Sequence, residues 1–159
     1  YKCPEDKSIF RRGIPHTRPQ IRSYAMNAYM GWQSEPTELA LDHRLFHKTG
    51  DMAMGSPSSL FVFQDTHPNS ICMPAFIVYM PGTEVDGFYH YPSSLHRGSG
   101  TVSFADGHVE THRWHDPRTW KKVTSGILGH WDRSPGNVDV QWLRDHATLP
   151  LAHWAARTP

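Results

Sequence analysis

Residues 96–112, HRGSGTVSFADGHVETH, carry the strongest fold signal of the chain, because two alternating runs meet there at Asp106-Gly107. An Asp-Gly pair between alternating runs is typical of a β-hairpin whose two-residue turn needs positive φ angles. Around such a turn, directly opposed residues share a face, and faces alternate along each strand. The face that we expect toward the core carries the apolar residues Val102, Phe104 and Val109.

The opposite face of this hairpin is rich in polar residues and would carry Ser103, Ala105, His108, Glu110 and His112. Residues two apart on a strand point the same way, so His108 and Glu110 could both bind one metal ion. His96 and Asp106 could join them if the loop before the hairpin folds back. Imidazole ligands would favour Zn²⁺, and carboxylates with carbonyls would favour Ca²⁺. The alternative is a solvated polar face whose side chains only form hydrogen bonds.

The composition of the 159-residue chain favours one domain with short strands and long loops. Only 38% of the residues are hydrophobic and 19% charged, while Pro (13) and Gly (12) are frequent. The net charge is +1 with neutral histidine, and no basic stripe is present. We therefore expect no nucleic-acid partner.

The remaining pattern predicts an α+β fold that is mostly β, in a single globular domain over 1–159. Short apolar strands are predicted at 58–65 and 73–80. The best helical spacing of apolar residues falls at 35–50, where Gly50 could end one short helix. The segment 115–159 contains several prolines and tryptophans, and we expect it to be an irregular tail packed on the sheet.

The two cysteines, Cys3 and Cys72, are not in a Cys-x-x-Cys pair, so no zinc finger or thioredoxin motif is present. They could form one disulfide in an exported protein or remain free thiols. The longest apolar run, residues 75–80, is far shorter than the ~20 residues of a membrane-spanning helix.

Established catalytic motifs are missing from the sequence. There is no Gly-x-Ser-x-Gly elbow, phosphate-binding loop or dinucleotide fingerprint, and no residue pattern marks a cysteine as a nucleophile. We therefore expect a non-catalytic protein. A surface module that binds carbohydrate or protein through exposed Trp and Tyr side chains is an alternative.

Several segments together resemble a known family. His96, nine residues, then Asp106-Gly107 is similar to the signature of the C-terminal, prepilin-processing-associated domain of bacterial pseudopilins, the pilin-like proteins related to type II secretion. The resemblance extends over nearly the whole chain, in the order YKCPEDKS (1–8), RSYAMN (22–27), SPSSLFVFQDTHPNSI (56–71), SFADGHVETHRWHDPRT (103–119) and NVDVQWL (137–143). Thr66 and Asn69 depart from the acidic residues usual in that family.

The resemblance implies a pilin-like fold, in which a helix packs on an antiparallel sheet. It also implies a longer precursor whose leader and apolar anchor helix, absent from this chain, hold it in the inner membrane. The expected function is that of a structural subunit in a secretion apparatus or surface filament, whose partners are other pilin-like subunits. The expected location is the periplasm or the cell surface. His96, Asp106 and Gly107 would then serve the architecture of the domain.

Overall fold

The structure is a computed structural model that describes residues 2–4, 6–7, 9–10, 18–19, 21–32, 42–83, 85–124 and 126–151, with backbone alone for 9–10 and 18–19. Most of its regular structure is β-sheet, as the sequence predicts. The strands are β1 (Ile9–Phe10), β2 (Arg18–Pro19), β3 (Tyr24–Asn27), β4 (Phe61–Asp65), β5 (Ala75–Phe76), β6 (Gly87–Phe88), β7 (Ser99–Phe104), β8 (Val109–Arg113) and β9 (Asp132–Arg133). The α-helices are α1 (Thr49–Met52) and α2 (Val138–Ala147), and short 3₁₀ turns occupy Pro57–Ser59, Pro68–Ser70 and Pro117–Thr119.

A five-stranded sheet in the order β5-β3-β4-β7-β8 forms the centre of the domain. The antiparallel sheet predicted from the sequence is wrong in one respect, because β5 pairs with β3 in parallel. The predicted strand 73–80 shortens to β5, and beyond it the Ile77 N–H donates to the His90 ring at 2.9 Å instead of to a strand. The strand predicted at 58–65 is confirmed as β4.

Helix α2 covers one face of this sheet, here called the inner face. Asn137 caps the helix by accepting hydrogen bonds from the N–H groups of Asp139 and Val140. At the other end, the Asn27 amide donates to the Ala147 carbonyl at 2.7 Å and so ties the helix to β3. The expectation of an irregular tail over 115–159 is therefore wrong for this helical part.

The helix predicted at 35–50 is not present in its described part, and residues 35–41 lie outside the described residues. Arg44 donates its N–H to the Leu149 carbonyl at 2.8 Å, and Phe46 donates to the Tyr29 carbonyl at 2.9 Å. Because these N–H groups donate to distant segments, they do not form the hydrogen bonds of a helix. Gly50 lies inside the single turn α1 instead of ending a helix. Among the described residues, no helix is long and apolar enough to cross a membrane.

The hairpin of β7 and β8 forms as predicted, but its register differs by one residue. The Phe104 N–H donates to the His108 carbonyl at 2.9 Å, and Ser103 pairs with Val109. The loop is therefore residues 105–107, with Gly107 at φ 94°. A three-residue loop that ends in a left-handed glycine adds one residue to the turn. The two-residue turn expected from Asp106-Gly107 is wrong.

This one-residue slip changes which side chains share a face. Val109 is 61% exposed and lies opposite Ser103, away from the core. His108 stacks on Phe104 with ring centroids 4.3 Å apart. His112 stacks on Trp142 of α2 at 3.8 Å. The histidines of β8 and its turn thus lie on the side that faces the helix. The solvated polar face holds for His108 and Glu110, whose side chains are 41% and 44% exposed, but it is wrong for His112, which packs against α2.

Candidate functional site

Three side chains from distant segments meet at one end of the sheet, and we call them the Cys3 cluster. Cys3 Sγ lies 3.2 Å from His96 Nε2. The same nitrogen lies 3.5 Å from Asp65 Oδ2. The potential ligand atoms of all three residues are within 4.8 Å of one another. This spacing allows all three to contact one ion.

Backbone and side-chain hydrogen bonds hold Cys3 in place. Its N–H donates to Ser23 Oγ at 2.9 Å, and that hydroxyl donates to Asp6 Oδ2 at 3.0 Å. The Asp6 N–H donates back to the Cys3 carbonyl at 3.0 Å. Cys3, Asp6 and Ser23 are all buried. The N-terminal segment is therefore attached to the start of β3 just before it reaches the cluster.

His96 reaches the cluster from a tight turn before β7. Its carbonyl accepts the Ser99 N–H at 3.1 Å, across Arg97 and Gly98, which both have positive φ. A side chain at Gly98 would lie 2.8 Å from the Trp120 ring, so only glycine fits between the turn and this tryptophan. The turn is fixed in shape and aims the imidazole toward Asp65.

Asp65 is the last residue of β4 and is only 1% exposed. Neither of its carboxylate oxygens has a hydrogen-bond partner among the described residues. Burial raises the pKa of Asp65 to about 6, and the nearby His96 and Ser93 offset this only in part. Tyr24 lies opposite Asp65 on β3. Its pKa is raised by burial and then by the charges of Asp65 and Cys3.

A second group, the Cys72 cluster, contains Cys72, His90 and His130. Cys72 Sγ is 3.2 Å from His90 Nε2. The Ile77 N–H donates to His90 Nδ1, so that nitrogen carries no proton and the neutral ring holds its proton on Nε2. Burial, with His130 and Arg22, lowers the pKa of His90 to about 3. His90 therefore donates to the Cys72 sulfur and cannot ligate a metal through Nε2.

His67 is a buried histidine with a purely structural arrangement. Its Nδ1 accepts the Asn69 N–H at 3.2 Å, and its Nε2 donates to the Lys121 carbonyl at 3.0 Å. Burial lowers its pKa. Both ring nitrogens are used within the fold, so His67 has no atom left for a ligand.

The residues predicted as metal ligands are separated into different environments. Asp106 and His108 pair at the hairpin turn with a 2.6 Å contact, and Glu110 lies 3.8 Å from His112. Within the described ranges, neither metal-like cluster includes Asp106, His108 or Glu110. Of the predicted set, only His96 belongs to such a cluster.

Cys3 and Cys72 are not joined by a disulfide and lie in different clusters. The sequence left open a disulfide or two thiols at these positions, and it predicted neither cysteine nor Asp65 as a metal ligand. The signal that could have pointed to them is the set of segments that carry the pilin-like resemblance. Cys3, Asp65 and His96 each come from a different one of those segments.

Comparison of the chain with protein-family models, with curated proteins and with solved structures finds no match. The pilin-like resemblance therefore rests on the sequence segments themselves. Three of its residues that lie far apart along the chain, Cys3, Asp65 and His96, meet in the Cys3 cluster.

Proposed function

We propose that this chain is the globular part of a pilin-like structural subunit of a bacterial secretion apparatus or surface filament, with no catalytic role. The sequence resemblance supports this proposal. The observation that carries it is an apolar face of the central sheet that α2 does not cover. This face is called the outer face, and it contains Tyr24, Met26, Phe63, Thr101, Ser103 and Val109.

Three apolar side chains lie in one row across the strands of the outer face, with the polar Ser103 between the second and the third. Met26 pairs with Phe63, Phe63 with Ser103, and Ser103 with Val109. The exposed fractions are 39% for Met26, 46% for Phe63 and 61% for Val109. A groove of about 640 Å³ runs beside the row, lined by Arg22, Tyr24, Met26, Phe63 and Pro74.

Exposed apolar side chains grouped on one face of a sheet are typical of a surface that another element covers. The occupant that we propose is the apolar helix of the longer precursor, which the resemblance places before this domain. That helix would extend from the inner membrane and lie along the outer face. The subunits would then associate through their helices outside the cytoplasm.

The test uses the full-length precursor in cells that assemble the filament. Phe63→Ser removes the centre of the apolar row, and we expect at least a tenfold loss of filament sheared from the cells. Ile127→Ser is the matched control, because Ile127 is 52% exposed but lies outside the sheet. Both positions are at the surface, so the melting temperatures of purified Phe63→Ser and Ile127→Ser should stay within about 2 °C of the parent.

Equal amounts of filament from parent and Phe63→Ser cells would contradict the proposal. An equal loss in Ile127→Ser cells would also contradict it, since the effect would not be specific to the outer face. A precursor without an apolar helix ahead of this domain would remove the proposed occupant.

A further inference from the structure

We propose that Cys3, Asp65 and His96 form a binding site for one Zn²⁺ ion. The proposal goes beyond the structural role of the chain and does not depend on it. It rests on two independent observations: the spacing of three donor atoms, and a buried carboxylate that accepts no hydrogen bond from the described residues.

Two of the three distances between the ligand atoms are close to those of tetrahedral zinc, and the third is within 4.8 Å. Bond lengths of about 2.3 Å to sulfur and about 2.0–2.2 Å to nitrogen and oxygen place neighbouring ligand atoms roughly 3.3–3.6 Å apart. The sulfur–nitrogen distance from Cys3 to His96 is 3.2 Å, and the nitrogen–oxygen distance from His96 to Asp65 is 3.5 Å. An ion could enter with only small movements of the side chains.

The carboxylate of Asp65 differs in its hydrogen bonding from that of Asp139, which is equally buried. Asp139 is also 1% exposed, but its oxygens accept hydrogen bonds from the His115 and Asp116 N–H groups and from the Thr119 hydroxyl. Asp65 accepts no such hydrogen bond from the described residues, and the imidazole of His96 lies 3.5 Å away. Buried charges in proteins are paired or bound to metals, so a bound cation would satisfy this carboxylate more fully than the partly exposed imidazole alone.

The donor set selects the metal. A thiolate with an imidazole favours zinc, whereas Ca²⁺ and Mg²⁺ take oxygen ligands. His96 presents Nε2 to both Cys3 and Asp65, as a ligating imidazole would. The Cys72 cluster lacks this freedom, because the hydrogen bond from Ile77 fixes the proton of His90 on Nε2.

Three protein ligands leave the fourth position of a tetrahedral ion for water. The side chain of His96 is 33% exposed, so solvent can reach the site from that side. The ion would join the N-terminal segment at Cys3, the end of β4 at Asp65 and the turn before β7 at His96. It would therefore act as a cross-link between three segments that are distant in sequence.

The first measurement is a Zn²⁺ titration of the purified, chelator-treated chain by calorimetry and by thermal unfolding. We expect one equivalent to bind with release of the Cys3 proton. At about 100 times the Kd, the melting temperature should rise by about 5–10 °C. Co²⁺ should give the visible bands of a tetrahedral site and a near-ultraviolet band from thiolate to cobalt.

Asp65→Asn separates a ligand role from a structural role. It keeps the size of the side chain and removes the unpartnered charge, so without metal its melting temperature should equal or exceed that of the parent. The rise in melting temperature that Zn²⁺ causes in Asp65→Asn should be at most half of the rise in the parent. Cys3→Ser should abolish the thiolate-to-cobalt band.

The matched controls are Cys72→Ser and Asp106→Asn, which change the same residue types outside the cluster and should bind Zn²⁺ as the parent does. The proposal is overturned if the parent binds no stoichiometric Zn²⁺. It is also overturned if Asp65→Asn and Cys3→Ser keep parental binding, or if Asp106→Asn loses it. The chain alone is used, so a failure here leaves the filament experiment unaffected.

Discussion

Gly107 shows how one residue sets the register of the hairpin. Its φ of 94° is a left-handed conformation that side chains disfavour, although a Cβ there would meet no atom within 4 Å. The Asp106-Gly107 pair was sufficient to predict the hairpin. It could not distinguish a two-residue from a three-residue loop, because both use a glycine with positive φ. The faces of β8 were therefore assigned incorrectly.

Replacement of Gly107 by alanine should lower the free energy of unfolding by about 1–2 kcal/mol, because the backbone strain is not offset by any new contact. Gly129→Ala is the matched control, since Gly129 also has open space around it and no positive φ. Its effect should stay within about 0.5 kcal/mol. Urea unfolding measures both changes, and equal effects would contradict the strain at Gly107.

His90 makes the stability of the protein depend on pH. Its folded pKa of about 3 lies below the usual 6.5, so below pH 6.5 the unfolded chain binds a proton that the folded chain does not. Its contribution to stability is therefore complete above pH 6.5 and is lost as pH falls toward 3. The loss has a limiting slope of about 1.4 kcal/mol per pH unit.

The variant His90→Asn keeps an acceptor for the Ile77 N–H but has no proton to bind. Urea unfolding between pH 7 and pH 4 should therefore give a flatter pH dependence than in the parent. The raised pKa of Asp65 has the opposite effect, because it increases the stability of the fold as pH falls from 6 to 3.8. Asp65 is present in both the parent and His90→Asn, so its contribution cancels when their slopes are compared. An unchanged slope would show that His90 does not remain neutral.

At the level of elements, helix α2 was missed because prolines and glycines surround it and its apolar pattern is weak. Only part of one face is buried, with Val140, Leu143 and Ala147 against the sheet. Asn137 before Asp139 was the available signal, since Asn is a favoured cap and an acidic residue suits the first turn. The helix predicted at 35–50 had better spacing, yet the backbone at Arg44 and Phe46 bonds elsewhere.

Loss of the cap at Asn137 should weaken α2. Asn137→Ala removes the acceptor for the N–H groups of Asp139 and Val140, and we expect the free energy of unfolding to fall by about 1–2 kcal/mol. Asn137→Asp keeps an acceptor and should retain most of the capping energy, although it loses the amide donor to Ser134. Equal losses in both variants would assign the effect to that donor and not to the cap.

At the scale of the whole molecule, composition was enough to predict a mostly β domain with long loops, whereas helix α2 was not predicted. The mixed sheet was not predictable, because the parallel contact of β5 with β3 depends on a long connection between them. The same limit applies to the Cys3 cluster. His96 stood out in the sequence, but its partners come from the N-terminal segment and from β4. Only the folded topology brings Cys3 and Asp65 to it. The pilin-like architecture stays a prediction.

The stacked rings beside α2 have an optical consequence. Trp142 lies between His112, at 3.8 Å, and His146, at 4.2 Å, with the ring planes nearly parallel on both sides. A protonated imidazole quenches the fluorescence of an indole in contact with it, whereas a neutral one does so weakly. The emission of Trp142 therefore depends on the charge of its two neighbours and on their distance. Trp142 is therefore an intrinsic fluorescent probe of α2, and its emission intensity should change when the helix moves away from His112 on the sheet.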